Sequence, residues 1–365
     1  MKTASLITIH IGSNFGSNLQ TIATCEVLKS LGIETTVVNY IPPRVSSRHP
    51  YKAMYQTSFP KMVWRTLLIP FGWQKQRIYR KQFVDYLASY CKVSEPIYAE
   101  DNFASMCPKT DYYITGSDQV WNVTHNQGID THYFWEGISG KKISYASSIG
   151  NTTLSEEEKL LYPRFLAEFK AISVREDSAK QILHELGFDS EQLVDPTFML
   201  DRFVWEKYAS PRLVKEPYLC LYLPYNIANK DIIYSTVRKI ANIKRLKVIT
   251  FAFTNKKDNY ADQTFCNVNP SDFLSLMRNA DFVVTNSFHG TAFSINLNKQ
   301  FYAYMPSGFK SRLVSILELC GLEDRALSEE IAEDAISNAI DYGPVNRILE
   351  GERAKAIEFL KKALS

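Results

Sequence analysis

The stretch 281–298, DFVVTNSFHGTAFSINLN, constrains the fold of this chain more than any other. Phe282, Val283 and Val284 form a short apolar, β-branched run of the kind that is buried in a parallel sheet. Asn286, Ser287, Phe288, His289 and Gly290 interrupt it, and from Thr291 the spacing of Ala292, Phe293 and Ile295 is helical. A strand feeding a helix through a short polar turn places that turn at the carboxyl edge of a parallel sheet, where α/β proteins bind ligands. The turn also opens the helix, so backbone N–H groups and the positive dipole end face whatever sits there. An imidazole (His289), a hydroxyl (Ser287), an amide (Asn286) and a glycine that permits close approach (Gly290) suit a small anion, and this turn is the candidate reaction centre. On the local pattern alone, a histidine at a strand end is more often a hydrogen-bonded structural residue than a catalyst.

Strand–helix alternation extends over the whole chain. Leu6, Ile7 and Ile9 read as a first strand, residues 12–18 (GSNFGSN) as its glycine-containing exit loop, and Leu19, Ile22, Ala23, Val27 and Leu31 as a helical stripe stopped by Gly32. The GxGxxG fingerprint is absent, so the loop is a weak nucleotide signal. Further strands are expected at 35–38, 112–115, 143–146, 171–174 and 193–194, and again at 218–223, 248–253, 282–285 and 301–304. Ser155 with Glu158 forms a capping box, and a helix starts at Asp177 or Ser178 and stops near Gly187. At 365 residues the chain is too long for one ordinary core. The expected fold is α/β, with two Rossmann-like doubly wound domains facing a cleft. The expected boundaries are 1–205, 206–344 and a terminal helix at 345–365 that packs back on the first domain.

Net charge is +3, too small to indicate nucleic acid, and no nucleic-acid module is recognisable. The six cysteines are isolated, without metal-type spacing, and read as reduced core residues of a cytoplasmic protein. His125, Asp130 and His132 lack a further ligand at sensible spacing, so no metal site is expected. The first residues have no signal-peptide core, and no apolar run is long enough to span a membrane. One segment departs from the strand–helix order. Between Arg44 and Lys81 there are nine Lys or Arg residues and no acid, interleaved with Tyr51, Tyr55, Phe59, Trp64, Phe71, Trp73 and Tyr79. That mixture suits the headgroup level of an anionic membrane and equally a helical excursion packed on its own domain.

Residues 115–122, TGSDQVWN, follow a strand and join Ser117, Asp118, Gln119 and Asn122 to the indole of Trp121. Polar side chains beside a flat apolar face are what a sugar requires. Five strings together, NFGSNLQT (14–21), TGSDQVWN (115–122), SVRE (173–176), VDPTFML (194–200) and SFHGTAFSINLNKQF (287–301), resemble the polysaccharide pyruvyl transferase family, in order and spacing, from residue 1 to about 325. The resemblance implies a fold similar to two-domain (GT-B-like) glycosyltransferases. It also implies transfer of a pyruvyl group from phosphoenolpyruvate to two hydroxyls of one sugar, free or lipid-linked, as a ketal, with no cofactor beyond the donor.

Phosphoenolpyruvate carries a carboxylate and a phosphate, so its site needs cations and helix N-termini. His289 is the candidate general acid/base, and Arg175, Ser287, Asn286, Gly290, Lys310 and Arg312 are candidates for the donor. Asn14, Gly16, Asn18, Ser117, Asp118, Gln119 and Trp121 are candidates for the acceptor. Asp195, before Pro196, reads as a structural turn. Some members of the family carry arginine two places before the histidine. Here that position is Ser287, so another cation must serve, with Arg312 and Lys310 the nearest in sequence. The alternatives are a glycosyltransferase using a nucleotide sugar and a non-catalytic carbohydrate-binding subunit.

Overall fold

The computed structural model of the chain describes residues 1–11, 14–45, 81–225, 230–252, 258–305 and 310–365. The basic-aromatic segment lies outside them from residue 46 to residue 80, as do residues 12 and 13 of the first loop. The chain divides into two compact units, Met1–Leu193 with Phe359–Ser365, and Val194–Glu358.

The large sheet of unit 1 contains β1 (Lys2–Ile7), β2 (Ile33–Val37), β3 (Lys92–Val93), β4 (Tyr112–Thr115), β5 (Lys141–Ser144) and β6 (Phe169–Ala171). The longer helices of the unit are α1 (Phe15–Ser30), α2 (Glu156–Leu166) and α3 (Asp177–Glu185). The strands are all parallel, in the order β3-β2-β1-β4-β5-β6. In this doubly wound order the connections from β1 and from β4 run in opposite directions, which opens a crevice between the carboxyl ends of those two strands.

The helix α1 starts earlier than the glycine-containing loop suggested. Asn14 Oδ1 accepts from the backbone N–H of Gly16 at 3.0 Å and of Ser17 at 3.4 Å, so Asn14 caps the helix and Gly16 to Asn18 lie in its first turn. Gly32, at φ +76°, follows the helix in the left-handed conformation that ends it. The expected single strand 171–174 is broken. Ser173–Val174 leaves the main sheet to pair with Glu191–Gln192, and the strand expected at 193–194 lies just beyond that pair. Ser155 and Glu158 form the expected capping box on α2.

Unit 2 repeats the plan with β7 (Tyr218–Tyr222), β8 (Lys247–Ala252), β9 (Gln263–Cys266), β10 (Phe282–Thr285), β11 (Gln300–Tyr304) and β12 (Ala326–Leu327). Its longer helices are α4 (Lys230–Lys244), α5 (Pro270–Arg278), α6 (Phe288–Asn296) and α7 (Lys310–Cys320), and α8 (Tyr342–Ala363) carries the chain on into unit 1. The order β9-β8-β7-β10-β11-β12 is again wholly parallel. Neither β9 nor β12 was expected. Both are edge strands, one polar and one of two residues, so neither carries an apolar signature. In the central strands Leu219, Leu221, Val248, Phe282 and Val284 are buried against Ile233, Val237 and Ile240 of α4, each contributing about 1.5–3 kcal/mol.

Residues 194–205 belong to unit 2, whereas the sequence placed the first domain's end at 205. The reason is a set of hydrogen bonds: Trp205 Nε1 donates to Thr197 O at 2.9 Å, and Asn296 Nδ2 donates to Thr197 O at 2.9 Å and to Leu200 O at 2.7 Å. The last residues are held in unit 1, where Tyr112 Oη donates to Leu364 O at 2.6 Å and Lys170 Nζ to Ala363 O at 3.1 Å. Among the described residues no helix is long and apolar enough to cross a membrane.

Candidate active site

In unit 2 the crevice between β7 and β10 is bordered by the polar turn at residues 286–290. Ser287 caps α6, its Oγ accepting from Gly290 N at 3.3 Å, and places His289 in the first helical turn. His289 is 2% exposed, and its Nε2 lies 3.9 Å from Asp195 Oδ2, with both side chains withdrawn from solvent. Asp195 caps its own short turn through its other oxygen: Oδ1 accepts from Thr197 N at 3.0 Å and Thr197 Oγ1 at 2.8 Å. The sequence read Asp195 as a turn residue only. That role is real, but the carboxylate also faces the imidazole, which no local spacing could reveal because the two are far apart in sequence.

Arg312 is buried in the first turn of α7, and its guanidinium carbon lies 5.7 Å from the ring centre of Phe288, the residue before His289. A cation therefore stands beside the turn although position 287 is a serine. Lys310 opens α7, and its side chain lies outside the described residues. Asn286 is committed elsewhere: Nδ2 donates to Tyr225 O at 2.9 Å and Oδ1 accepts from Tyr225 N at 3.4 Å, tying the loops after β7 and β10 together. It shapes the crevice rather than meeting an anion with its amide.

Gly290 is a glycine for a different reason than the sequence suggested. A Cβ there would lie 2.3 Å from Thr285 Oγ1 and 3.0 Å from Tyr222 Cδ1, so α6 packs on the ends of β7 and β10 only because that carbon is missing. Thr285 cannot yield, because its hydroxyl donates to Tyr222 O at 2.7 Å and accepts from Ser287 N at 3.1 Å. Gly290→Ala is expected to destabilise the protein by about 1–3 kcal/mol through overpacking, read as a lower urea midpoint. An unchanged midpoint would mean that α6 shifts freely on the sheet.

In unit 1 the expected acceptor residues gather at the corresponding crevice, between β1 and β4. Ser17 Oγ donates to Asp118 Oδ2, and Asp118 adopts φ +73°, a left-handed conformation steadied by its Oδ1 accepting from Gln119 N at 2.9 Å. Arg175 Nη2 lies 3.8 Å from Asp118 Oδ1, its Nε 3.9 Å from Glu176 Oε2, and its Nη1 donates to Ser117 Oγ at 3.4 Å. Glu176, which the sequence did not single out, is fully buried and accepts at Oε1 from Ser148 Oγ and Gly150 N, both at 2.8 Å. Arg175 thus faces two buried carboxylates in an internal charge network.

Four further expectations are corrected by burial. Trp121 is 1% exposed, stacks on Phe134 at 5.4 Å and donates Nε1 to Tyr133 O at 3.3 Å, so it is core and offers no face to a sugar. Asn18 Nδ2 donates to Phe83 O at 3.1 Å, and Gln119 Oε1 accepts from Asn122 Nδ2 at 2.9 Å; both side chains brace loops. Gly16 is buried within α1. The polarity of Asn18 and Gln119 misled because a buried crevice wall needs polar residues to satisfy its own backbone.

Two other groups of titratable residues are explained by the fold. Asp130 accepts from Tyr40 Oη at 2.8 Å through Oδ2 and lies 2.8 Å from His132 Nδ1 through Oδ1; burial, then the Asp130 charge, pushes the Tyr40 phenol well up. Among the described residues no three His, Cys, Asp or Glu side chains are arranged to hold a metal ion. His10, beyond β1, is fully buried with Nδ1 3.0 Å from Thr8 O and Nε2 3.3 Å from Asn39 Oδ1; burial holds it below the ordinary imidazole range. It is a neutral, hydrogen-bonded core histidine.

A family model for polysaccharide pyruvyl transferase matches residues 14–308, which include Asp118, Arg175, Asp195 and His289. No curated protein sequence matches the chain. Among solved structures it is similar to a UDP-N-acetylglucosamine 2-epimerase (TM-score 0.52, 12% identity, covering 98% of this chain and 90% of that one). It is also similar to a Listeria monocytogenes protein described as a UDP-N-acetylglucosamine 2-epimerase (TM-score 0.51, 11% identity, covering 95% and 94%). A third is HepE from Anabaena, solved with UDP and glucose (TM-score 0.50, 9% identity, covering 100% and 99%). At these identities the likeness shows the fold, two Rossmann-like units of the GT-B type. With the family model spanning most of its length, the chain belongs to the polysaccharide pyruvyl transferase family, a family of enzymes.

Proposed function

We propose that the enzyme transfers the pyruvyl group of phosphoenolpyruvate to two hydroxyls of one sugar, in a cell-surface polysaccharide or its lipid-linked precursor, forming a cyclic ketal and releasing phosphate. The observation that carries this reading is the buried His289, in the first turn of α6 at the β7/β10 crevice, with the Arg312 guanidinium over the ring of the preceding Phe288. A helix N-terminus and a guanidinium are what a ligand with a carboxylate and a phosphate requires.

The steps balance with one acid/base group. His289 gives a proton to the methylene carbon, and the cationic carbon so formed takes the first sugar hydroxyl. The C–O bond to phosphate breaks, and the second hydroxyl adds to the same carbon. Of the two protons lost by the hydroxyls, one restores His289 and the other leaves with phosphate. Arg312 stabilises the donor's charge throughout.

The competing reading is glycosyl transfer from a nucleotide sugar, favoured by the fold shared with HepE, which was solved with UDP and glucose. Thermal unfolding with phosphoenolpyruvate, beside UDP-glucose and UDP-N-acetylglucosamine, separates the two. A specific ligand at about 100 times its Kd adds about 2.7 kcal/mol to stability. The expected result is stabilisation by phosphoenolpyruvate that Arg312→Ala removes. Stabilisation by a nucleotide sugar alone would overturn the proposal.

A further inference from the structure

We infer that Asp195 is the positioning residue of His289, on a turn that α6 itself clamps in register; the inference rests on His289 being the acid/base group proposed above. The two oxygens of Asp195 are divided between tasks. Oδ1 accepts from Thr197 N and Oγ1, at 3.0 and 2.8 Å, and Oδ2 faces His289 Nε2 at 3.9 Å. At that distance the carboxylate acts on the imidazole through its charge rather than through a hydrogen bond. Because both groups are out of solvent, the charge is weakly screened. A carboxylate on the Nε2 side favours a proton on Nε2, and proton exchange with substrate is assigned to Nδ1.

A clamp from the same helix fixes the turn that carries the carboxylate. Asn296 lies seven residues, about two helical turns, beyond His289 on the same face of α6. Its Nδ2 donates to Thr197 O at 2.9 Å and Leu200 O at 2.7 Å, and its Oδ1 accepts from Arg353 Nη2 at 3.0 Å. Arg353 Nε in turn donates to Phe198 O at 2.6 Å. One helix therefore grips both ends of the 195–200 turn, at Asp195 through His289 and at Thr197 and Leu200 through Asn296. A turn that needed only a cap would work with asparagine at 195, because Oδ1 alone does the capping. What an asparagine would not supply is the negative charge 3.9 Å from the imidazole.

Asp195→Asn keeps the capping oxygen and removes the charge. Two readouts decide the matter. The first is independent of turnover: ring-nitrogen NMR shifts of ¹⁵N-histidine-labelled protein, with the His289 signals identified by their loss in His289→Gln. They are expected to move in Asp195→Asn, and in Asn296→Ala if the asparagine variant does not fold; unchanged shifts overturn the inference. The second is phosphate release from phosphoenolpyruvate with acceptor sugar, in which Asp195→Asn is expected to lower kcat about 100-fold with KM for phosphoenolpyruvate within a factor of about two. Moved shifts with unchanged kcat also overturn the positioning role. If the wild-type protein releases no phosphate from phosphoenolpyruvate, the proposed function fails, while the NMR comparison still decides whether Asp195 sets the imidazole.

Discussion

Replacing Arg175 by alanine is expected to cost about 3–5 kcal/mol of folding stability, the range for breaking a buried ion pair and leaving its partner charged. The side chains of Arg175, Asp118 and Glu176 are 2%, 6% and 0% exposed, so little water reaches the two carboxylates that lose the guanidinium facing them. A loss of that size is a large share of a typical domain's 5–15 kcal/mol. Urea unfolding followed by circular dichroism would measure it, and a change below about 1 kcal/mol would show that the network is not load-sharing. Arg175→Lys should recover only part, because an ammonium cannot address two carboxylates and Ser117 Oγ with one planar fork. The consequence for function is direct: lost activity in Arg175→Ala does not identify a donor ligand unless the variant is folded.

The second large effect is on turnover. His289→Ala is expected to lower phosphate release from phosphoenolpyruvate by about 10²–10⁴-fold, the usual contribution of a positioned acid/base group. Its buried neighbour Asp195 keeps its bonds to Thr197, so the turn should survive the change. His289→Gln serves as the partner variant, since an amide refills most of the volume without exchanging protons. Both variants should still be stabilised by phosphoenolpyruvate, because binding is assigned to Arg312 and the α6 N-terminus. Unchanged turnover in both would remove His289 from the mechanism.

Much of the fold was legible in the sequence because buried parallel strands advertise themselves. Phe282–Thr285, Tyr112–Thr115 and the caps at Ser155 and Gly32 were all read from short-range pattern. Among the expected binding residues one kind of failure recurred. Trp121, Asn18, Gln119 and Asn286 look like ligand contacts in a linear string, yet each side chain is turned toward the protein's own loops or core. Residue type announces the capacity to bond, whereas direction comes from the backbone that carries it. Asp195 failed in the opposite sense, since its short-range capping role concealed a contact to a residue far along the chain.

The sequence by itself determined the α/β class, the strand-to-helix turn bearing His289 and the membership of a family whose motifs are local strings. Those features rest on interactions within a few residues: hydrophobic period, capping and helix-terminus polarity. Only the tertiary structure decided that the same strand order recurs in both units, that Gly290 is a packing requirement, that Arg175 is met by Asp118 and Glu176, and that Asp195 faces His289. Each of these depends on which sheet edge brings distant segments together, and that is settled by the burial of whole elements rather than by the preference of any one residue.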